Sequence, residues 1–220
     1  MMRISVAPDF EDGLKQTNPM KLMSKKNLHA LLGVTAAVAL LGLTGCAHSI
    51  ALSPDLSKVS TAGPKIAKTV GYVIAETNRW LQVTTPGGGG DKVKYFPYRD
   101  LEPGFRKALS EVFDKVAKLS SPADPAIAAQ GVSLIITPTI TTTSSSDGAL
   151  TWPPTSFSIE LNCAVLDARG QPVAQINSQG QGRATYNEFK HEFALAARRA
   201  AEDVLEKLVK ALAESPELRR

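Results

Sequence analysis

Hydrophobic and polar residues alternate along two neighbouring segments of the chain, residues 157–166 and 173–184. Every second side chain from Phe157 to Val165 is apolar, and this period of two predicts a strand with one face in the core. A turn sequence, residues 167–170, joins the two segments, so they are predicted to form a β-hairpin. The polar positions of the second strand are amides that we expect to face water: Gln175, Asn177, Gln179 and Gln181.

Three other segments are rich in the β-branched and aromatic residues typical of strands: 68–76, 92–96 and 132–143. Pro138 has no N–H to donate, which predicts an edge or a bulge in the third segment. The second segment follows four consecutive glycines, residues 87–90. A phosphate-binding loop needs its glycines at the start of a helix, whereas an extended segment follows here. The glycines therefore predict the flexible tip of a hairpin.

Two segments show the helical spacing, in which apolar residues recur at steps of three and four. In residues 100–119 the apolar stripe consists of Phe105, Leu109, Val112, Phe113 and Val116. Asp100 is the predicted N-cap of this helix. In residues 187–214 the stripe consists of Phe193, Ala197, Ala201, Val204, Leu205, Leu208 and Leu212. Charged residues of both signs share the rest of the second helix, which predicts a solvated face rather than a site for an anionic partner.

The predicted order of elements is one strand, a hairpin, a helix, three strands and a long helix. Each helix has one apolar stripe to bury, and a sheet that carries both helices on one face buries both stripes in two layers. The predicted fold class is therefore α+β, with a mostly antiparallel sheet and two helices packed on one face.

The start of the chain has the features of a bacterial export signal. Residues 30–43 are about 14 uncharged and mostly apolar residues, whereas a helix that spans a bilayer needs about 20. This length fits the apolar core of a signal peptide, and lysines precede it. The next residues, Leu43-Thr44-Gly45-Cys46, resemble the lipobox of bacterial lipoproteins. That resemblance implies cleavage between Gly45 and Cys46 and a diacylglycerol on the thiol of Cys46. An ordinary secretory signal is the alternative, but Leu43 fits the lipobox better.

The segment boundaries follow from this signal. Residues 1–19 carry acidic side chains where a signal peptide carries positive charge, so they are predicted to precede the true start, with the signal peptide at 20–45. The lipidated N-terminus and a flexible tether are predicted at 46–64, and this tether could reach about 60 Å when fully extended. The α+β domain is predicted at 65–214, followed by a C-terminal tail at 215–220.

Composition and charge narrow the classes of function. The chain has 220 residues, of which 43% are hydrophobic and 21% charged, as in ordinary globular domains. Two cysteines and three histidines exclude a disulfide-stapled scaffold and a Cys-rich metal site, and no cofactor or metal is predicted. Removal of residues 1–45 lowers the formal net charge from +4 to +2, which gives little support to nucleic-acid binding.

Cys163 is expected to be buried. If Cys46 carries lipid, Cys163 is a lone thiol in an oxidising compartment, where exposure would be a liability. Its position among the apolar residues of the predicted strand agrees with burial. A nucleophilic thiol is the alternative, and it would need a base close to it.

A family resemblance rests on the order of elements and on a few residues. These residues are Pro97-Tyr98-Arg99-Asp100-Leu101 at the start of a helix, Glu111-Val112 within that helix, the strands of 132–184 and the Ala-rich last helix. In these features the chain resembles the YajG-type family of small bacterial outer-membrane lipoproteins. More distantly, it resembles the auxiliary lipoproteins of envelope transport systems. The YajG-type family has no established catalytic residues, so none is assigned to this chain.

The resemblance to a lipoprotein also implies a location. In a Gram-negative envelope, an Asp after the lipidated cysteine commonly retains a lipoprotein in the inner membrane. Ala47 stands at that position here. By this analogy we expect attachment to the periplasmic face of the outer membrane.

The first functional hypothesis is a non-catalytic accessory protein that a lipid anchors in the membrane and that binds an envelope protein or another envelope component. Exposed aromatic side chains are favoured at interfaces. The candidate interaction surface is therefore Trp152, in the loop 144–154, together with Trp80 near the Gly-rich tip. The sequence leaves the identity of the partner and the oligomeric state open.

The sequence leaves two other functions open. A lipid-binding component of an envelope transport system would need an apolar cavity larger than about 300 Å³ between sheet and helices. A hydrolase would need two convergent carboxylates, and the candidates are Glu160 with Asp167 or Asp147. Each of these acids has a structural explanation in a strand or a turn, so we expect the protein not to be an enzyme.

Overall fold

The computed structural model of the chain describes residues 47–61, 63–148 and 153–220. Within these ranges the strands are β1 (Ala47–Ser49), β2 (Ile66–Val73), β3 (Val83–Gly88), β4 (Asp91–Tyr95), β5 (Phe113–Leu119), β6 (Val132–Ser145), β7 (Ser156–Asp167) and β8 (Pro172–Arg183). The helices are α1 (Glu76–Arg79), α2 (Pro97–Val112), α3 (Ala126–Ala129), α4 (Tyr186–Phe189) and α5 (Leu195–Glu214). A single 3-10 turn, Leu56–Lys58, follows β1. The predicted signal segments lie outside the described residues.

The predicted α+β class is confirmed. The main sheet has five strands in the order β5-β2-β6-β7-β8. β2 is parallel to both of its neighbours, while β6, β7 and β8 form an antiparallel meander. The parallel pairs need crossover connections, and α2 lies in the connection from β4 to β5. A second, three-stranded sheet has the order β1-β4-β3.

The hairpin of β7 and β8 follows the predicted alternation. The side chains of Phe157, Ile159, Leu161, Cys163 and Val165 are all buried. The four predicted amides of β8 are exposed, so this hairpin has one face in the core and one in water. The predicted hairpin at the Gly-rich segment is also present, as the antiparallel pair of β3 and β4.

The long helix α5 packs directly on β8. Gly180 and Gly182 lie under this helix, with no side chain between the two backbones. A Cβ atom on Gly182 would lie 2.0 Å from the carbonyl oxygen of Ala196, and one on Gly180 would lie 2.3 Å from that of Ala200. Any larger residue at these positions would force the helix away from the sheet. The helix buries Leu205 and Leu208 in the same core as α2.

The predicted helix over 100–119 is wrong in its second half. The helix ends at Val112, and residues Phe113–Leu119 form β5, which pairs with β2. The spacing of Val112, Phe113 and Val116 fits a helix, but Phe113, Ala117 and Leu119 also fit the alternation of a strand. Pairing along the open edge of β2 decides between the two patterns, and no local pattern reports that edge.

The predicted tether over 46–64 is also wrong for most of its length. β1 pairs in parallel with β4, and Leu52 and Val59 are at most 1% exposed. The backbone N–H of Leu52 donates to Asp100 Oδ2 at 3.3 Å. These residues carry no periodic pattern because each apolar side chain enters the core singly. The segment is therefore part of the domain.

A buried carboxylate holds the same segment to α5. The carboxylate of Glu202 accepts three hydrogen bonds: from Lys58 Nζ at 2.7 Å, from the backbone N–H of Asp55 at 3.2 Å and from Arg198 at 3.2 Å. Burial works to raise the pKa of Glu202, but the hydrogen bonds and the two cations outweigh it and the pKa is lowered. The ionised carboxylate thus fixes the turn after Leu52 against the helix.

The predicted C-terminal tail belongs to the domain as well. Leu218 is fully buried in the main core, and Ser215 is 7% exposed. The described domain therefore extends from Ala47 to Arg220 rather than from 65 to 214.

We expect Leu52→Ala to lower the free energy of unfolding by about 2–5 kcal/mol, because it leaves a cavity in a closed core. The control is Leu56→Ala, whose side chain is 38% exposed, and it should change stability by no more than about 0.5 kcal/mol. Urea denaturation of the two variants measures both values. Equal, small effects would show that residues 47–61 behave as a tether after all.

Candidate interaction surface

An exposed tryptophan stands at the end of α1. Trp80 is 58% exposed and Leu81 is 48% exposed, although both are large apolar side chains. The indole N–H of Trp80 donates to Glu76 Oε1 at 2.6 Å, one helical turn earlier. The indole and the ring of Phe96 are nearly perpendicular, with 6.4 Å between their centroids. The indole is therefore exposed but held in one orientation.

A cation completes this surface. The guanidinium carbon of Arg99 lies 4.0 Å from the ring centroid of Phe96 and 6.0 Å from that of Trp80. Arg99 also forms an ion pair with Asp100 Oδ1, at 3.0 Å from its terminal nitrogen. Arginine stacked on aromatic rings is stabilised by cation–π attraction, and Trp and Arg are the residue types enriched at binding hot spots. We call Trp80, Leu81, Phe96 and Arg99 the Trp80 surface.

The Trp80 surface rests on a buried carboxylate. The carboxylate of Glu102, in α2, forms ion pairs with Arg79 at 2.6 Å and with Lys118 of β5 at 2.7 Å. It also accepts a hydrogen bond from the hydroxyl of Tyr72 at 3.2 Å. Arg79 belongs to α1, so this cluster ties the short helix that carries Trp80 to both α2 and the main sheet. A single carboxylate thus explains why a four-residue helix keeps its position.

The charges of this cluster shift two pKa values. Burial works to raise the pKa of Glu102, but Lys118 and Arg79 outweigh it and the pKa is lowered. Burial and the adjacent negative charge of Glu102 raise the pKa of Tyr72 to about 12. Glu102 is therefore ionised at neutral pH, whereas a general acid needs a raised pKa.

The structure separates two features that the sequence placed together. The sequence predicts Trp80 near the Gly-rich tip, but it lies at the base of the β3–β4 hairpin, beyond the pair Val83 and Tyr95. The tip is at Gly88 and Asp91, about 17 Å along the strand. Sequence reasoning also missed Phe96 and Arg99, because nothing in the local pattern indicates that they stack beside Trp80. Trp152 lies outside the described residues.

The candidate hydrolase acids do not converge. Asp167 accepts the backbone N–H groups of Arg169 and Gln171, both at 2.8 Å, and so closes the turn between β7 and β8. Glu160 lies seven residues earlier on the same strand, about 23 Å away. Asp147 lies beyond the far end of β6. The three positions give no pair that could act on one bond.

Cys163 is buried, as predicted. Its side chain faces the core from β7, and burial raises the pKa of its thiol to about 12. A thiol with this pKa carries almost no thiolate at neutral pH, which is the opposite of an activated nucleophile. Over the described ranges, no group of three or more His, Cys, Asp or Glu side chains is arranged to hold a metal ion. Among the same residues, no helix is both long enough and apolar enough to cross a membrane.

Comparison with known proteins gives distant structural neighbours. No family model and no curated protein matches the chain. A protein of Xanthomonas campestris described as family DUF330 aligns at 14% identity and a TM-score of 0.42, covering 77% of this chain and 92% of its own. A dodecamer of a PelC point variant from Paraburkholderia phytofirmans aligns at 14% identity and a TM-score of 0.38, covering 73% and 96%. A candidate lipoprotein of Caulobacter crescentus aligns at 14% identity and a TM-score of 0.26, covering 74% of this chain and 89% of its own. The resemblance to the YajG-type family stays a prediction.

We expect Cys163 to resist maleimide at pH 7 in the folded protein and to react completely in denaturant, because its thiol is buried and its pKa is raised. Mass spectrometry of the modified protein measures the extent of labelling. Arg169→Cys, with an exposed thiol in the β7–β8 turn, is the control and should react within minutes. Equally fast native labelling at Cys163 would contradict its burial.

Proposed function

We propose that the chain is a lipid-anchored, non-catalytic binding protein of the bacterial envelope, attached to the periplasmic face of the outer membrane. The observation that carries the proposal is the sequence Leu43-Thr44-Gly45-Cys46 placed directly before a folded domain that starts at Ala47. A cleavage before Cys46 would leave the whole described domain intact, with the lipid on the residue immediately before it.

The Trp80 surface supports the binding role. A rigid, half-exposed indole beside an arginine offers a partner a large apolar contact at little cost in conformational entropy. Glu76 holds the orientation of the indole, and Glu102 holds the short helix α1 that carries it. The surface is therefore formed before a partner binds. We assign this surface to an envelope protein rather than to a small molecule, because its members form an exposed patch and not a cleft.

Close packing favours this role over lipid carriage. A lipid carrier would need an apolar cavity between the sheet and its helices. At Gly180 and Gly182 the backbone of α5 lies so close to β8 that not even a methyl group fits between them. Leu161, Cys163, Leu205 and Leu208 fill the adjoining core with at most 2% exposure.

We expect the wild-type protein to sediment with outer-membrane vesicles, to withstand a high-pH carbonate wash and to be released by detergent, because acyl chains would hold it in the bilayer. A Cys46→Ala variant in which an ordinary cleavable secretory signal replaces residues 20–45 should move to the soluble periplasmic fraction, because neither a lipid nor an uncleaved apolar segment then holds it. The control is Cys163→Ser with residues 20–45 intact, which removes the other cysteine and should leave the distribution unchanged. Continued membrane attachment of that Cys46→Ala variant after the wash would contradict the anchor.

A second experiment tests the binding surface. We expect chemical crosslinking in intact envelopes to join the wild-type protein to an envelope protein, and Trp80→Ala to reduce that product at least tenfold, in keeping with loss of a hot-spot residue. Tyr186→Ala is the matched control, because Tyr186 is also an exposed aromatic residue, at 56%, and lies on α4. Equal yields from both variants would exclude the Trp80 surface.

A further inference from the structure

The described domain begins at the residue directly after Cys46. β1 begins at Ala47, whose Cα is only about 3.8 Å from that of Cys46. From there the register is fixed, because Ala47 lies opposite Lys92 and Ser49 opposite Lys94 in β4. The backbone N–H of Ile50 then donates to the carbonyl of Lys94 at 3.0 Å. A lipid on Cys46 would thus be joined to the sheet itself rather than to a free chain.

The position of β1 identifies the end of the molecule at which Cys46 joins it. Because β1 is parallel to β4, its first residue lies beside the start of β4, where the β3–β4 tip turns at Gly89 and Gly90. At the same tip, Nε2 of His48 lies 3.8 Å from Oδ2 of Asp91. The Gly-rich tip is therefore the part of the domain next to the residue that would carry lipid.

The β6–β7 hairpin ends at the same place. Ser144 Oγ donates to the carbonyl of Pro86 at 2.6 Å, and Ser146 Oγ donates to the carbonyl of Gly87. The last pair of this hairpin, Ser145 with Ser156, lies beside those contacts. Two hairpin ends are thus hydrogen-bonded into one surface next to Ala47, which we call the tip surface.

The other end of the domain lies far from the tip surface. β7 runs for 12 residues from Ser156 to Asp167, about 36 Å at about 3.3 Å per residue. The turn that follows contains Arg169 and is exposed. The tip surface and the β7–β8 turn are therefore separated by about the full length of β7.

We infer, on the basis of the proposed function, that the tip surface lies against the phospholipid headgroups while the β7–β8 turn points away from the membrane. The chemistry of the tip surface fits a headgroup layer rather than hydrocarbon. Its described residues include glycine, proline and serine, with Asp91 and Asp147 balancing Lys92 and Arg183. Small, polar and nearly neutral groups of this kind tolerate a zwitterionic surface, while the acyl chains supply the affinity.

The residues that follow β1 are also held in the domain. Leu52 is fully buried and Glu202 binds both Asp55 and Lys58. Hence the domain cannot move further from the lipid than Cys46 itself reaches without unpairing β1 and exposing Leu52. The surface nearest to Ala47 therefore stays close to the membrane without a basic patch to attract it.

Energy transfer from two labelled positions to the membrane tests this orientation. The lipidated full chain is reconstituted into vesicles of phosphatidylethanolamine and phosphatidylglycerol that contain a rhodamine-labelled lipid as acceptor. A donor fluorophore is attached to Lys92→Cys at the tip surface or to Arg169→Cys at the distant turn, both of which are exposed positions. Cys163 is buried and Cys46 would be a thioether, so only the introduced thiol reacts.

We expect strong transfer from position 92 and weak transfer from position 169, because the two ends lie about 36 Å apart along β7 and the inferred orientation turns only the first of them to the membrane. A Gly-Ser linker of 20 residues between Cys46 and Ala47, about 25 Å in average span, should bring the two values together. Equal transfer from both positions without the linker, or stronger transfer from position 169, would overturn the inference.

Flotation of the same samples separates this result from a failure of the proposed function. If the labelled protein floats with the vesicles, the anchor is present and the transfer values test the orientation alone. If it stays at the bottom of the gradient although Cys46 is intact, the anchor itself is absent. That outcome overturns both the proposed function and the inference that rests on it.

Discussion

The contact between α5 and β8 is the constraint on which the rest of the domain depends. Gly180 and Gly182 allow the helix backbone to touch the sheet backbone, so the position of α5 along β8 is set by backbone atoms rather than by adaptable side chains. This fixed helix then closes the core through Leu205 and Leu208, and it presents Glu202 to the segment that contains Asp55 and Lys58. The sheet, the core and the N-terminal segment are therefore positioned by one interaction.

The same helix protects the edge of the main sheet. β8 is an edge strand, and its unpaired backbone groups would invite another strand to pair. Three side chains of α5 occupy these groups. Lys207 donates to the carbonyl of Gln179 at 3.0 Å, Asp203 accepts the N–H of Gln181 at 2.8 Å, and Arg199 donates to the carbonyl of Arg183 at 2.7 Å. The charges that the sequence assigned to a solvated face thus have a second role, which no local pattern could indicate because it depends on backbone groups about 16 to 28 residues away in the chain.

The sequence predicted those parts of the fold in which periodicity and tertiary structure agree. The alternation through Cys163 is a strand because both the local pattern and the core demand it. At Phe113 the local pattern fits both a helix and a strand, and the free edge of β2 decides in favour of the strand. Leu52 and Val59 enter the core singly and show no period, so a pattern based on spacing treats them as linker residues. For the Trp80 surface, the exposed aromatic residue could be selected from the sequence, but the stacked Arg99 and the supporting Glu102 could not.

A short connection between lipid and domain has a consequence for binding. On a long tether the orientation of a domain is averaged, and a partner meets every face. When the first strand follows the lipidated residue directly, only the faces away from the bilayer are open to a partner. Trp80 lies at the base of the β3–β4 hairpin, about 17 Å from the tip, so the orientation inferred from β1 keeps it clear of the headgroups. The two proposals are therefore compatible, because a domain with its tip surface at the membrane would leave the Trp80 surface accessible to a partner.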